Sequence, residues 1–162
     1  WNLIFKELGI DFDGVLFEKH FRDRLFYSAV LEDGAREVLE YLKDKYVLGV
    51  VSNGPYEQQI NRLKVGDLSK YFSHTFISGK IGFQKPAKEF FDYCFKELRA
   101  TETPDLKPEN VIIVGDSLTA DIGGGKEYGL KTCFYVHDKD EKENGGSVDY
   151  LIKSLLELKQ LL

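Results

Sequence analysis

Methionine is missing altogether from this 162-residue chain, which opens on Trp1, and there are only two cysteines, three histidines and four prolines. With no methionine and no initiating residue, it is expected to be a processed, truncated or engineered product. Cys94 and Cys133 stand alone without C-x-x-C spacing, which excludes a disulfide scaffold and a thiolate metal site and leaves two reduced core thiols. His20, His74 and His137 lie far apart, so zinc-ligand spacing is absent and all three read as surface or loop residues. Positive charge is in deficit. With 22 Lys and Arg against 27 Asp and Glu, the net charge of −5 offers no basic footprint for a nucleic-acid polymer. No apolar run is long enough to span a bilayer and no basic-then-apolar leader opens the chain, so a cytoplasmic protein without a membrane partner is expected. Nor does a Pro/Gly-rich linker divide it: residues 1–162, 43% hydrophobic, suffice for one domain with one well-filled core.

What is present is an alternation of apolar runs and amphipathic stretches. Leu8 to Phe17, L-G-I-D-F-D-G-V-L-F, reads as a buried parallel strand carrying Asp11 and Asp13 at its carboxyl end, with Gly14 turning the chain. The polar and aromatic segment 18–32 shows no clean period and is expected to be a short flap over the site. After Asp33-Gly34, the helical spacing of Ala35, Val38, Leu39 and Leu42 predicts an amphipathic helix. Tyr46–Val51 predicts a second buried strand ending at Ser52-Asn53-Gly54, and Pro55 opens a helix to about Val65. Phe72–Ser78 predicts a short strand and Gly79–Gln84 a loop; Lys85 then precedes Pro86, the expected start of a helix bearing Phe90, Phe91, Cys94, Phe95 and Leu98. Val111–Val114 is a fully apolar strand ending on Gly115-Asp116-Ser117, with Asp121 and a glycine run in or near a short helix beyond it. A strand at Lys131–Val136, a mobile charged connection over His137–Gly146, a short strand at Val148–Ile152 and a leucine-rich helix complete the chain. Strands alternating with helices give an α/β protein, a three-layer α/β/α sandwich around a mainly parallel, Rossmann-like sheet.

Ligands in open parallel sheets bind beyond the carboxyl ends of the strands, where Asp11, Asp13, Ser52, Asn53, Asp116 and Asp121 are expected to gather with Lys85. Taken singly, each has an ordinary explanation: turn acids, a turn with a helix cap, a solvated lysine, a capping or exposed acid. Jointly they suit chemistry on an anion. A phosphate monoester is doubly anionic near neutral pH, so a carboxylate approaches it only across a cation, for which Mg²⁺ is suited.

The succession D-F-D-G-V-L, V-V-S-N-G, Q-K-P and V-I-I-V-G-D-S-L-T-A-D resembles the four motifs of the haloacid dehalogenase (HAD) superfamily, over nearly the whole chain. The resemblance implies a Mg²⁺-dependent phosphomonoester hydrolase working through an aspartyl-phosphate. Asp11 would be the nucleophile and Asp13 the general acid/base. Ser52 and the Asn53 amide would hold phosphoryl oxygens, with Lys85 neutralising charge. Asp11, Asp13 (through its carbonyl) and Asp116 would ligate the metal, and Asp121 would orient a metal-bound water or Lys85. A second acid favours phosphatases over dehalogenating members, since displacing a halide needs no proton donor. S-N-G and G-D-S-L-T-A-D-I look most like members acting on nucleoside monophosphates, which implies a 5′-nucleotidase or another small-metabolite phosphatase. Relatives usually insert a helical cap between the first two motifs; only Glu18–Glu32 is available here, so a capless member, or one whose cap was removed, is expected. The alternatives are a phosphatase of a macromolecular substrate and a catalytically weak, receiver-like phosphate-binding domain. G-D-S-L around Ser117 resembles an esterase block, but Phe134 stands where that family has its acid before the histidine, and Glu127 after Gly125-Lys126 excludes a P-loop.

Overall fold

The structure, a computed structural model, describes residues 1–136 and 148–162; the connection expected to be mobile, with His137, lies outside the described residues. Among the described residues, five short strands form two parallel sheets. β1 (Gly49–Ser52) pairs with β2 (His74–Ile77), and β3 (Ile112–Gly115), β4 (Lys131–Tyr135) and β5 (Tyr150–Ile152) pair in that order. All five of the central and C-terminal strands expected from sequence are present, each a residue or more shorter at an end.

Side-chain alternation along the strands builds the layers. Ile113 turns to one face, where it meets Phe90, Phe91, Cys94 and Phe95 of helix α6 (Lys88–Thr101) and Phe76 of β2, with Val51 of β1 at the margin. Cys133 and Ile152, flanked by Ile112 and Val114, pack on the other face against Val38 and Leu42 of α3 (Ala35–Leu42) and Leu158 of α8 (Leu158–Leu161). The core shared by Val51, Phe76 and Ile113 holds both sheets to one helix layer, although β1 and β3 do not pair. α4 (Tyr56–Val65) follows β1, a one-turn helix α5 (Ser78–Ile81) follows β2, and α7 (Gly124–Tyr128) leads into β4. Pro86 lies ahead of α6 rather than in its first turn.

The N-terminal expectation is overturned. Residues 8–17 are not a strand: α1 (Asn2–Glu7) is followed by Leu8 and then Gly9, whose φ of 66° favours glycine, and α2 runs from Gly14 to Tyr27. Asp13 Oδ1 accepts the Val15 and Leu16 amides at 2.8 and 3.3 Å, capping α2, while Asn2 Oδ1 accepts the Gly14 amide at 2.7 Å. Edge-to-face contacts join Phe17 to Trp1 and Phe5 at centroid distances of 4.6 and 5.1 Å, and Phe21 stacks on Phe17. The expected flap therefore begins as helix: α2 packs on α4, where Asn61 Nδ2 donates to the Phe26 carbonyl at 2.6 Å. Phe17, Phe21 and Leu25 do recur every four residues. That period, together with a capping acid at Asp13, was the available signal.

His74 also departs from expectation. It opens β2 half-buried, its Nε2 2.7 Å from Glu102 Oε1 and its ring stacked on Phe76.

Candidate active site

The carboxyl ends of β1 and β3 open on a cavity of about 420 Å³, and the segments Val51–Asn53 and Val114–Ser117 line its two sides together with Lys85, Ala120 and Asp121. Its centre is a buried ion pair. Lys85 and Asp121 are 7% and 6% exposed, and Lys85 Nζ lies 2.5 Å from Asp121 Oδ1. The ammonium also donates to the Val51 carbonyl at 2.8 Å, so two of its three N–H groups are used within the protein. Asp121 Oδ2 accepts the Ser117 amide at 3.1 Å. Both members of the pair thus meet the condition under which buried charges persist, being paired and hydrogen-bonded at once.

Local backbone geometry makes this convergence possible. After β3 the chain enters a π-helical turn (Leu118–Gly123), where the Ile122 amide reaches back to the Ser117 carbonyl at 3.1 Å and Ser117 Oγ accepts the Ala120 amide. That turn swings Asp121 back across the strand end. Gly115 is required there, since a Cβ would collide with the Asp121 carboxylate. On the other side Asn53 reaches over to Lys85: its Nδ2 donates to the Lys85 carbonyl and its Oδ1 accepts the Lys85 amide, both at 2.9 Å.

Ser52, Asn53, Lys85, Asp116 and Asp121 are therefore brought together, as expected from sequence. The Ser52 hydroxyl makes only a 3.5 Å contact with the Asn53 carbonyl and remains available to a ligand. Asp116 is exposed at the cavity wall. Asp11 and Asp13 are not part of this group. Both are exposed in the α1–α2 connection, neither lines the cavity, and the Asp13 carboxylate is committed to its cap. The structure does not bring them to Asp116 as expected for a nucleophile, a general acid/base and metal ligands, because the strand that would have carried them to the sheet edge is a turn and a helix. Among the described residues no group of three or more His, Cys, Asp or Glu side chains converges. Sequence reasoning missed the Val51 carbonyl and the Asn53 side chain; the first is backbone, without any signature in residue type, and the second was assigned through its amide N–H alone.

Charge counting bears on which ions the cavity could hold. Lys85 and Asp121 cancel, leaving Asp116 as a net negative charge beside a donor-rich pocket. A phosphate dianion would be repelled by that charge until a divalent cation reversed it. Mg²⁺ fits the donors present, since it binds through one or two carboxylates and keeps waters and phosphate oxygens as its remaining ligands.

The profile of haloacid dehalogenase-like hydrolases matches residues 16–135, a span that begins beyond Asp13 and includes the whole cavity. The chain belongs to that family. Among its HAD relatives, the HAD-hydrolase YfnB of Bacillus subtilis is 37% identical over 164 residues, covering 100% of this chain and 67% of YfnB. The pyrimidine 5′-nucleotidase YjjG of Escherichia coli is 34% identical, over 80% of this chain and 55% of YjjG, and a glyceraldehyde 3-phosphate phosphatase of Pyrococcus furiosus 32% identical, over 80% and 53%. A crystal structure of YfnB bound to magnesium superposes with a TM-score of 0.83 at 36% identity, covering 99% of this chain and 68% of that one. The chain thus spans between about half and two thirds of the length of these HAD proteins.

Proposed function

We propose that the protein is a Mg²⁺-dependent phosphomonoester hydrolase working through an aspartyl-phosphate, and that this chain supplies its phosphate- and cation-binding wall. The observation that carries the reading is the buried Lys85 ammonium, held by Asp121 and the Val51 carbonyl with one N–H left for an acceptor in the cavity. That N–H, the Ser52 hydroxyl and the Asn53 amide would hold non-bridging phosphoryl oxygens. Asp116 would hold Mg²⁺, which supplies charge neutralisation for the approach of an anionic nucleophile to the phosphoryl group. Asp121 would keep the Lys85 side chain in place.

The nucleophile comes from elsewhere than Asp11. The Ser73 amide donates to the Leu48 carbonyl and the Lys131 amide to the Val111 carbonyl, and alternation then turns the backbone groups of Gly49 and Val51, and of Ile112 and Val114, away from their paired strands. These edges flank the cavity, and no strand among the described residues pairs with either. A parallel, apolar strand seated between them would place a carboxylate at its end beside Lys85 and Asp116, as the first HAD motif requires.

The substrate is a small phosphorylated metabolite. A pyrimidine nucleoside 5′-monophosphate is the first to try, because YjjG carries that activity in its name. The test is Mg²⁺-dependent hydrolysis of p-nitrophenyl phosphate by the chain alone, and by the chain joined through a flexible linker to an apolar strand ending in Asp-X-Asp. Turnover that requires the added acids and Asp116 supports the reading. Turnover by the chain alone that disappears in Asp11→Asn would return the nucleophile to the α1–α2 turn and overturn it.

A further inference from the structure

We infer that the Asn53 side chain is the positioning residue for Lys85, clasping its backbone so that the ammonium stays over the cavity. Lys85 lies in the stretch between α5 and α6, where Pro86 has no N–H to offer and Gly82 has a left-handed φ of 87°. Nothing regular fixes that stretch. Gly82 is tied back to the Ser78 carbonyl and the Ala87 carbonyl accepts the Phe90 amide at its two ends; between them its backbone hydrogen bonds are the turn from the Ala87 amide to the Gln84 carbonyl and the reciprocal pair made by the Asn53 amide group, one bond to the Lys85 N–H and one to its C=O.

A side-chain amide offers a donor and an acceptor in one plane, which lets it stand in for a neighbouring strand. The second point of attachment returns to the same segment: Lys85 Nζ donates to Val51, two residues before Asn53. Lys85 is thereby held at both its backbone and its tip by residues 51–53, and Asp121 closes the arrangement from the β3 side. Ser78 Oγ, which accepts the Gly54 amide at 2.9 Å, ties the next residue to the start of α5 and keeps Asn53 aimed across the gap. Losing the clasp frees the Lys85 backbone without removing any charge from the site.

The direct test is competitive amine acetylation read by mass spectrometry. In the native chain Lys85 should label far more slowly than exposed lysines such as Lys19 and Lys64. In Asn53→Ala its labelling should rise about tenfold or more, while the buried thiols Cys94 and Cys133 stay unreactive and so rule out general opening. Asn53→Asp keeps the acceptor for the Lys85 N–H and loses the donor to its C=O, so a smaller rise is expected; it carries the test should Asn53→Ala not fold. Lys85 labelling unchanged in the folded variants would overturn the inference. A second arm rests on the proposed function: Asn53→Ala should weaken Mg²⁺-dependent binding of inorganic phosphate about tenfold with Lys85 present and have no effect in a Lys85→Met background. Equal losses in the two backgrounds would show that Asn53 acts on its own and contradict the inference. Absence of phosphate binding by the native chain would count against the function alone, leaving the labelling result to decide the role of Asn53.

Discussion

Lys85 and Asp121 form a buried ion pair that bears on stability whatever chemistry the cavity performs. Each is buried against the other, so removing one partner leaves an uncompensated charge. Lys85→Met or Asp121→Leu should therefore each destabilise the fold by about 3–5 kcal/mol, measured by urea denaturation, whereas the double replacement should recover much of the loss. A double variant no more stable than the worse single one would show that the pair is not the unit of stability. The thiols are a second case. Burial pushes Cys94 up to about 12 and Cys133 up to about 11, so neither is appreciably ionised near neutral pH, and Ellman's reagent should react with both only on unfolding. Thiols whose folded values are raised stabilise the protein below the unfolded value near 9 and lose that contribution as pH rises through the folded values. Stability should accordingly fall between about pH 9 and 12, and replacing both cysteines with alanine should flatten that part of the profile. An unchanged alkaline slope would contradict the assignment.

At the scale of the element, α2 carries the largest difference between sequence and structure. Its first turn is set by Asp13, and Asp13→Ala should cost about 1 kcal/mol in urea denaturation while leaving phosphate binding at the cavity untouched. An acid pair followed by glycine is ambiguous as a pattern. It ends a strand in one context and caps a helix in another, and here the aromatic contacts of Trp1, Phe5, Phe17 and Phe21 decide for the helix. Nothing within Leu8–Phe17 encodes those partners as a local period, which is why the strand reading was open. Short α1 and α5 were not legible either, α5 falling where a loop was expected; the elements that were legible had one dominant force each, the Phe90–Phe95 stripe for α6 and unbroken apolar runs for β1, β3 and β4. The loop groups around Lys85 were legible by residue type and order, whereas the Asn53 clasp and the Val51 carbonyl depend on long-range geometry with no pattern in the sequence.

For the molecule as a whole, two parallel half-sheets share one helix layer and face each other across unpaired edges. Amides directed to the gap, those of Val51, Ile112 and Val114, should exchange hydrogen faster than Val50 and Ile113, which face their partner strands. Equal protection would mean that the edges are closed in solution. The expected apolar α/β/α core is present, and the departure lies in which segment approaches its centre. The most direct test of the central claim is titration of inorganic phosphate into the chain by calorimetry, with Mg²⁺ and with EDTA, for the native protein, Asp116→Asn and the double variant Asp11→Asn/Asp13→Asn. Binding that needs Mg²⁺ and Asp116, and is unaffected by the double change in the α1–α2 turn, is the predicted result. Binding abolished by the double change, or indifferent to Asp116 and EDTA, would contradict the account.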